Sequence, residues 1–180
     1  MSELRATSAL AHRRSGPDAA SVLTPALAIR EVESLALFHL TADLVRHRDL
    51  EAALGFALPS PGAPGGSDVV AIWQTPTDIL LAGPRDALAP KIAALRAKLA
   101  NAAALLDDVT HAMTVIDLEG AAVQIVCTPR NGTSNVGRFA DLRLTQLFLK
   151  RDHVRLFVDY PDADYLWSWL EARLPPLNAP

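Results

Sequence analysis

The chain has 180 residues, half of them hydrophobic, and a net charge of −3. That length holds one well-buried domain or two very small ones sharing a core, and the apolar content argues against disorder except at the ends. The charge gives no pull toward nucleic acid or an anionic membrane, no apolar run reaches bilayer length, and the only cysteine, Cys127, excludes an internal disulfide and fits a reducing compartment.

Residues 1–27 mix Ser, Gly, Pro and the pair Arg13-Arg14 without a sustained period or an apolar signal core. They read as a flexible arm, leaving 28–177 as a single domain with sub-halves 28–118 and 119–177. Without a secretory signal, and with alanine-rich usage, the chain reads as cytoplasmic and bacterial.

From Ala28 a pattern firms up. Ile29–Val32 starts a strand and Leu35–Leu40 gives a clearer one. Asp49–Gly55 reads as a short helix with Leu50, Ala53 and Leu54 on one side and Gly55 near its end. Pro59–Ser67 is a loop whose glycines lack the spacing of a dinucleotide fingerprint. Val69–Trp73 and Ile79–Ala82 flank a Pro-containing turn, a hairpin pattern. Asp86 is placed to cap a helix with Pro90 near its first turn, and Leu88, Ile92, Leu95 and Leu99 follow at helical spacing.

Thr114, Val115 and Ile116 favour a strand, while Ala121–Cys127 stays open between a short helix and another strand. Thr128–Val136 is a polar loop. Two strand-like runs follow, Phe139–Leu149 and Val154–Asp159, joined by Lys150-Arg151-Asp152. A helix opens at Pro161-Asp162. On it Ala163, Leu166, Trp167, Leu170 and Leu174 share an arc of about 100°, whereas Tyr165 and Trp169 fall together on a different face. That second face is covered by the chain's own N-terminal segment or a loop, or else by another protein, since exposed Trp and Tyr are common interface anchors.

This order predicts an α+β domain. Its antiparallel or mixed sheet carries helices packed on one side, and a ferredoxin-like half (28–118) is followed by a smaller α/β half. The residues offer little chemistry. No two of the five histidines have a metal-ligand spacing, and no nucleophile-elbow, Walker or zincin pattern occurs. His111 beside Asp108 is the best candidate for a tuned imidazole, against the plainer reading of a polar turn. Arg138 and Arg143 flank the start of the last block, where they can pair with Asp141 or reach a partner. No catalytic or metal-binding residue is assigned, and the partner-binding candidates are Tyr165, Trp169, Arg138 and Arg143.

Four segments in order resemble one family. They are Trp73-Gln74-Thr75-Pro76-Thr77-Asp78-Ile79-Leu80-Leu81; Asp108-Val109-Thr110-His111 leading to Gly120; Gly137-Arg138-Phe139-Ala140-Asp141-Leu142-Arg143-Leu144; and Tyr165-Leu166-Trp167-Ser168-Trp169-Leu170. Over residues 29–174 the chain resembles gamma subunits of heterotetrameric sarcosine oxidase, which are similar to the aminomethyltransferase folate-binding fold. Ile79 and Asp159-Tyr160 depart from that pattern, which leaves the amine substrate open. The resemblance implies a structural subunit that binds no cofactor itself. Larger alpha-type and beta-type chains would hold FAD, FMN, NAD and tetrahydrofolate while oxidising sarcosine or a related N-methyl or secondary amine. A free-standing folate or one-carbon binding protein of the same superfamily is the alternative.

Overall fold

The structure, a computed structural model, describes residues 8–14, 18–24, 26–43, 47–100, 103–127 and 132–173. A 3-10 turn at Ala11–Arg13 precedes β1 (Ser21–Leu23), β2 (Ala28–Glu31) and β3 (Leu35–Ala42). Helix α1 (His47–Leu54), β4 (Gly65–Gly66), the hairpin β5 (Val70–Thr75) and β6 (Asp78–Pro84), α2 (Arg85–Leu99) and β7 (Ala104–Asp108) come next. Then follow β8 (Met113–Glu119), the short α3 (Val123–Val126), β9 (Ser134–Phe139), β10 (Leu142–Lys150), β11 (His153–Asp159) and α4 (Ala163–Glu171).

These elements form two antiparallel sheets, ordered β1-β2-β8-β11-β10-β9 and β4-β5-β6-β3-β7. The chain divides into two units at Glu33/Ser34 and Thr110/His111, with a short return to the second unit just before Gly137. The α+β class with helices on one side of a sheet is as the sequence predicts. The dividing lines differ from a cut at 118/119, because β8 pairs with β2 and β11 and so belongs with the chain's two ends.

In the second unit, strand residues two apart share the side that meets the helices. Phe38 and Leu40 of β3 register with Leu81 and Ile79 of β6, and all four fall on one buried face. Against that face pack Leu50 and Leu54 of α1 and Leu88, Ile92, Leu95 and Leu99 of α2. Each such leucine contributes about 1.5–3 kcal/mol relative to exposure. Gly55, at φ +76°, ends α1 in the left-handed conformation that glycine adopts without steric cost. Without β4, the order β5-β6-β3-β7 along β3-α1-β5-β6-α2-β7 is the split βαβ arrangement expected for this half. Pro90 lies inside α2, not in its first turn, because the helix already begins at Arg85. Asp86 therefore caps nothing beyond the N–H of Ala87.

The first unit repeats the arrangement in permuted form. β8, α3, β10, β11 and α4 follow the same sequence of elements, and β2 from the start of the chain takes the place of the closing strand. Its core joins Ile29, Ile116, Leu118, Leu144, Phe148, Val154, Leu156 and Val158 to Ala163, Leu166, Trp167 and Leu170 of α4. This half is therefore the larger sheet, six strands against five. Phe139 closes β9 and does not open the following strand. Ala140 (φ 53°) and Asp141 (φ 64°) form a tight turn into β10 that their residue types do not announce. Ala121–Cys127 resolves as the helix α3.

The first residues also differ from a flexible arm wherever they are described. Leu10 and Ala20 are fully buried, and β1 pairs with β2 from Ser21↔Arg30 to Leu23↔Ala28. The buried Glu31 carboxylate accepts the Ser8 hydroxyl and the Ala20 N–H and lies 3.5 Å from Arg14. A buried charge requires such partners, and this one draws the segment down onto the sheet. Residues 1–7, 15–17 and Pro25, with Leu174 and the rest of the C-terminal tail, lie outside the described residues.

Candidate interaction surface

Helix α4 presents three faces. Ala163, Leu166, Trp167 and Leu170 are buried in the core. Asp164, Ser168 and Glu171 form a polar stripe covered by the N-terminal turn. The Arg13 guanidinium donates to Asp164 Oδ1, to Glu171 Oε2 at 2.9 Å and to Ser168 Oγ at 2.6 Å, and His12 Nε2 lies 2.8 Å from Asp164 Oδ1. Hydrogen bonding from Arg13 holds the Asp164 carboxyl below the usual carboxylate range, and the same bond raises Arg13 above its ordinary value. The Nε1–H of buried Trp167 donates to Glu171 Oε1 at 3.0 Å, so the arginine's partner also satisfies the core indole.

The third face holds Tyr165 and Trp169. Tyr165 is 49% exposed. Trp169 is half-buried: its ring centroid lies 5.1 Å from that of Phe139 at an interplanar angle of 59°, and Arg173 lies over the ring at 3.4 Å from its centroid. An Arg173 Nη1–H also donates to the Trp169 carbonyl at 3.3 Å. Among the described residues, the N-terminal segment thus covers the polar stripe and not the aromatic one. Spacing alone identifies Tyr165 and Trp169, and Arg173 could have been found by the same i, i+4 rule. Phe139 reaches this face because the Ala140-Asp141 turn folds β9 back beside β10. Arg13 has no local signal at all.

The two other partner candidates do not join this patch. Phe139 and Leu142 pack against the α4-side core, so strand alternation places Arg138 and Arg143 on the opposite face of the sheet. Both are exposed, and Arg138 Nη2 lies 3.8 Å from Asp141 Oδ1. Asp108 Oδ1 accepts the Thr110 N–H, and Thr110 Oγ1 accepts the Leu37 N–H. These bonds make a polar turn, and His111 follows it as an exposed turn residue.

A cluster the sequence does not flag lies across β8 and β11. Arg155, registered with Asp117, donates to both of its oxygens at 2.7 and 2.8 Å, and His153 Nε2 lies 3.1 Å from Oδ2. The bidentate pair leaves the carboxylate held on both oxygens, which suits a cross-strand clasp. Among the described residues, no group of three or more His, Cys, Asp or Glu is placed to hold a metal ion, and no helix is long and apolar enough to cross a membrane.

No protein-family profile matches the sequence, and no curated sequence is similar to it. Solved structures are informative. A chain of the heterotetrameric sarcosine oxidase from Corynebacterium sp. U-96, determined with pyrrole 2-carboxylate, superposes with a TM-score of 0.81 over 99% of this chain and 98% of that one, at 22% identity. The chain has the fold of that oxidase subunit. The glycine cleavage system aminomethyltransferase T from Bartonella henselae superposes at a TM-score of 0.55 and 10% identity, over 78% of this chain but 44% of the enzyme. One chain of that heterotetramer is thus matched end to end, and the aminomethyltransferase only over part of a larger chain.

Proposed function

We propose that this chain is the non-catalytic gamma subunit of a cytoplasmic, sarcosine-oxidase-like heterotetramer. It docks on larger alpha-type and beta-type chains, which oxidatively demethylate sarcosine or a related amine and pass the one-carbon unit to tetrahydrofolate. FAD, FMN, NAD and tetrahydrofolate belong to those chains. The observation that carries this reading is the end-to-end superposition on a chain of a heterotetrameric enzyme. The open aromatic face of α4 supports it, since a lone tryptophan and tyrosine beside arginine is the composition of an interface anchor.

Co-expression with the alpha-type and beta-type chains of the same genome tests the proposal. The expected result is a stoichiometric complex that oxidises an N-methyl amine, while the isolated 180-residue chain does not. Failure to co-purify sinks it. The aminomethyltransferase likeness favours a second reading, a free-standing folate binder. Titrating tetrahydrofolate into the chain alone separates the two, since micromolar binding belongs to the second reading only.

A further inference from the structure

We propose that the α4 aromatic face receives a partner segment bearing a carboxylate next to an apolar side chain. The apolar group rests on Tyr165 and Trp169, and the carboxylate meets the Arg173 guanidinium. This rests on the subunit reading and names the chemistry of the contact.

Three observations lead to that occupant. The platform is fixed before anything binds, because Trp169 is held from within by Phe139 at 5.1 Å and from its own helix by Arg173. Arg173 is stacked 3.4 Å from the ring centroid, and its bond to the Trp169 carbonyl uses one of several N–H groups. A stacked guanidinium keeps its remaining in-plane donors at the rim of the ring, where a carboxylate is taken up in bidentate fashion. The helix's own acids do not compete for it, because Asp164 and Glu171 are already engaged by Arg13 and His12. The Arg173 end of the aromatic face is therefore cationic, with Asp162 at its other end, and the surface complementary to Arg173 is acidic.

A second copy of this chain is the competing occupant, since an antiparallel two-fold pairing of α4 helices would bring Arg173 toward the Asp162 end of its mate, and the oligomeric state of the isolated chain decides between them.

The test uses the complex assembled from the full chain and its alpha-type and beta-type partners, with the dissociation constant read at several salt concentrations. Arg173→Glu is expected to weaken assembly about tenfold or more, Arg173→Lys to weaken it less, and wild-type affinity to fall as salt rises. Arg173 is exposed, so the variants should keep the wild-type circular dichroism spectrum, and Arg173→Gln provides a neutral variant should Arg173→Glu misfold. If Trp169→Ala weakens assembly while Arg173→Glu and Arg173→Gln do not, the face docks through apolar contact alone and the carboxylate is refuted. If none of these changes matters in a complex that does form, docking lies elsewhere, and the inference fails while the subunit reading stands. A concentration-dependent dimer of the isolated chain abolished by Trp169→Ala also overturns it. Absence of any complex with the wild-type chain removes the subunit reading itself.

Discussion

Three threonine hydroxyls converge on the Asp78 carboxylate at the β5–β6 turn: Thr75 Oγ1, Thr41 Oγ1 at 2.7 Å and Thr77 Oγ1 at 3.1 Å. The bond from Thr75, then that from Thr41, holds its carboxyl below the ordinary carboxylate value. A carboxyl whose folded pKa is depressed stabilises the fold above its unfolded pKa of about 3.9, and that contribution is lost as pH falls through the folded value. Urea unfolding at a series of pH values should therefore show stability declining below about pH 4. Asp78→Asn should flatten the decline and cost about 1–2 kcal/mol at neutral pH; an unchanged acid limb would contradict this assignment. Cys127 gives a second check. Burial pushes its thiol up to about 12, so native protein should resist iodoacetamide at pH 8 and react only when unfolded. Its apolar sequence neighbours already imply that inertness. The threonine cage was legible only as a turn, since Thr41 joins it from another strand.

At the scale of elements, the β9–β10 turn and helix α4 make opposite lessons. Ala140 and Asp141 both occupy the left-handed region, which costs a side-chain-bearing residue roughly 1–2 kcal/mol. Asp141→Gly at this exposed position should raise stability by roughly 0.5–1 kcal/mol in thermal or urea unfolding, because glycine adopts that conformation freely. No glycine or asparagine marks the turn, which is why the sequence predicts one long strand there. Helix α4 was readable because its buried stripe repeats every three to four residues. The covering of its polar stripe was not, since Arg13 lies more than 150 positions away from Asp164 in sequence. Arg13→Ala leaves Asp164, Glu171 and Ser168 without these bonds and should cost about 1–2 kcal/mol. The same substitution should speed proteolysis in the N-terminal segment; an unchanged cleavage pattern would show the turn to be held by Leu10 and the Glu31 contacts instead.

For the whole molecule, the prediction is assembly. Trp169→Ala should weaken binding to the proposed alpha-type partner by roughly 1–4 kcal/mol, beyond the roughly 0.5–1.5 kcal/mol that loss of the Phe139 contact takes from the chain's own stability, the two being separated by titration and melting in parallel. The split βαβ half was legible because its six principal elements run consecutively. The other half was obscured because β2 belongs to a sheet whose remaining long strands come more than 80 residues later, at 113–119 and beyond. Periodicity reports each strand and says nothing about such distant pairing. That permutation has a consequence for synthesis on the ribosome. The sheet spanning 35–108 is complete as soon as β7 emerges, whereas β2 waits for β8 to be translated and the core beneath it waits for β11 and α4. A nascent chain therefore carries Leu27 and Ile29, apolar groups later buried, without their β8 partner until Glu119 has emerged, an interval in which exposed apolar surface favours aggregation.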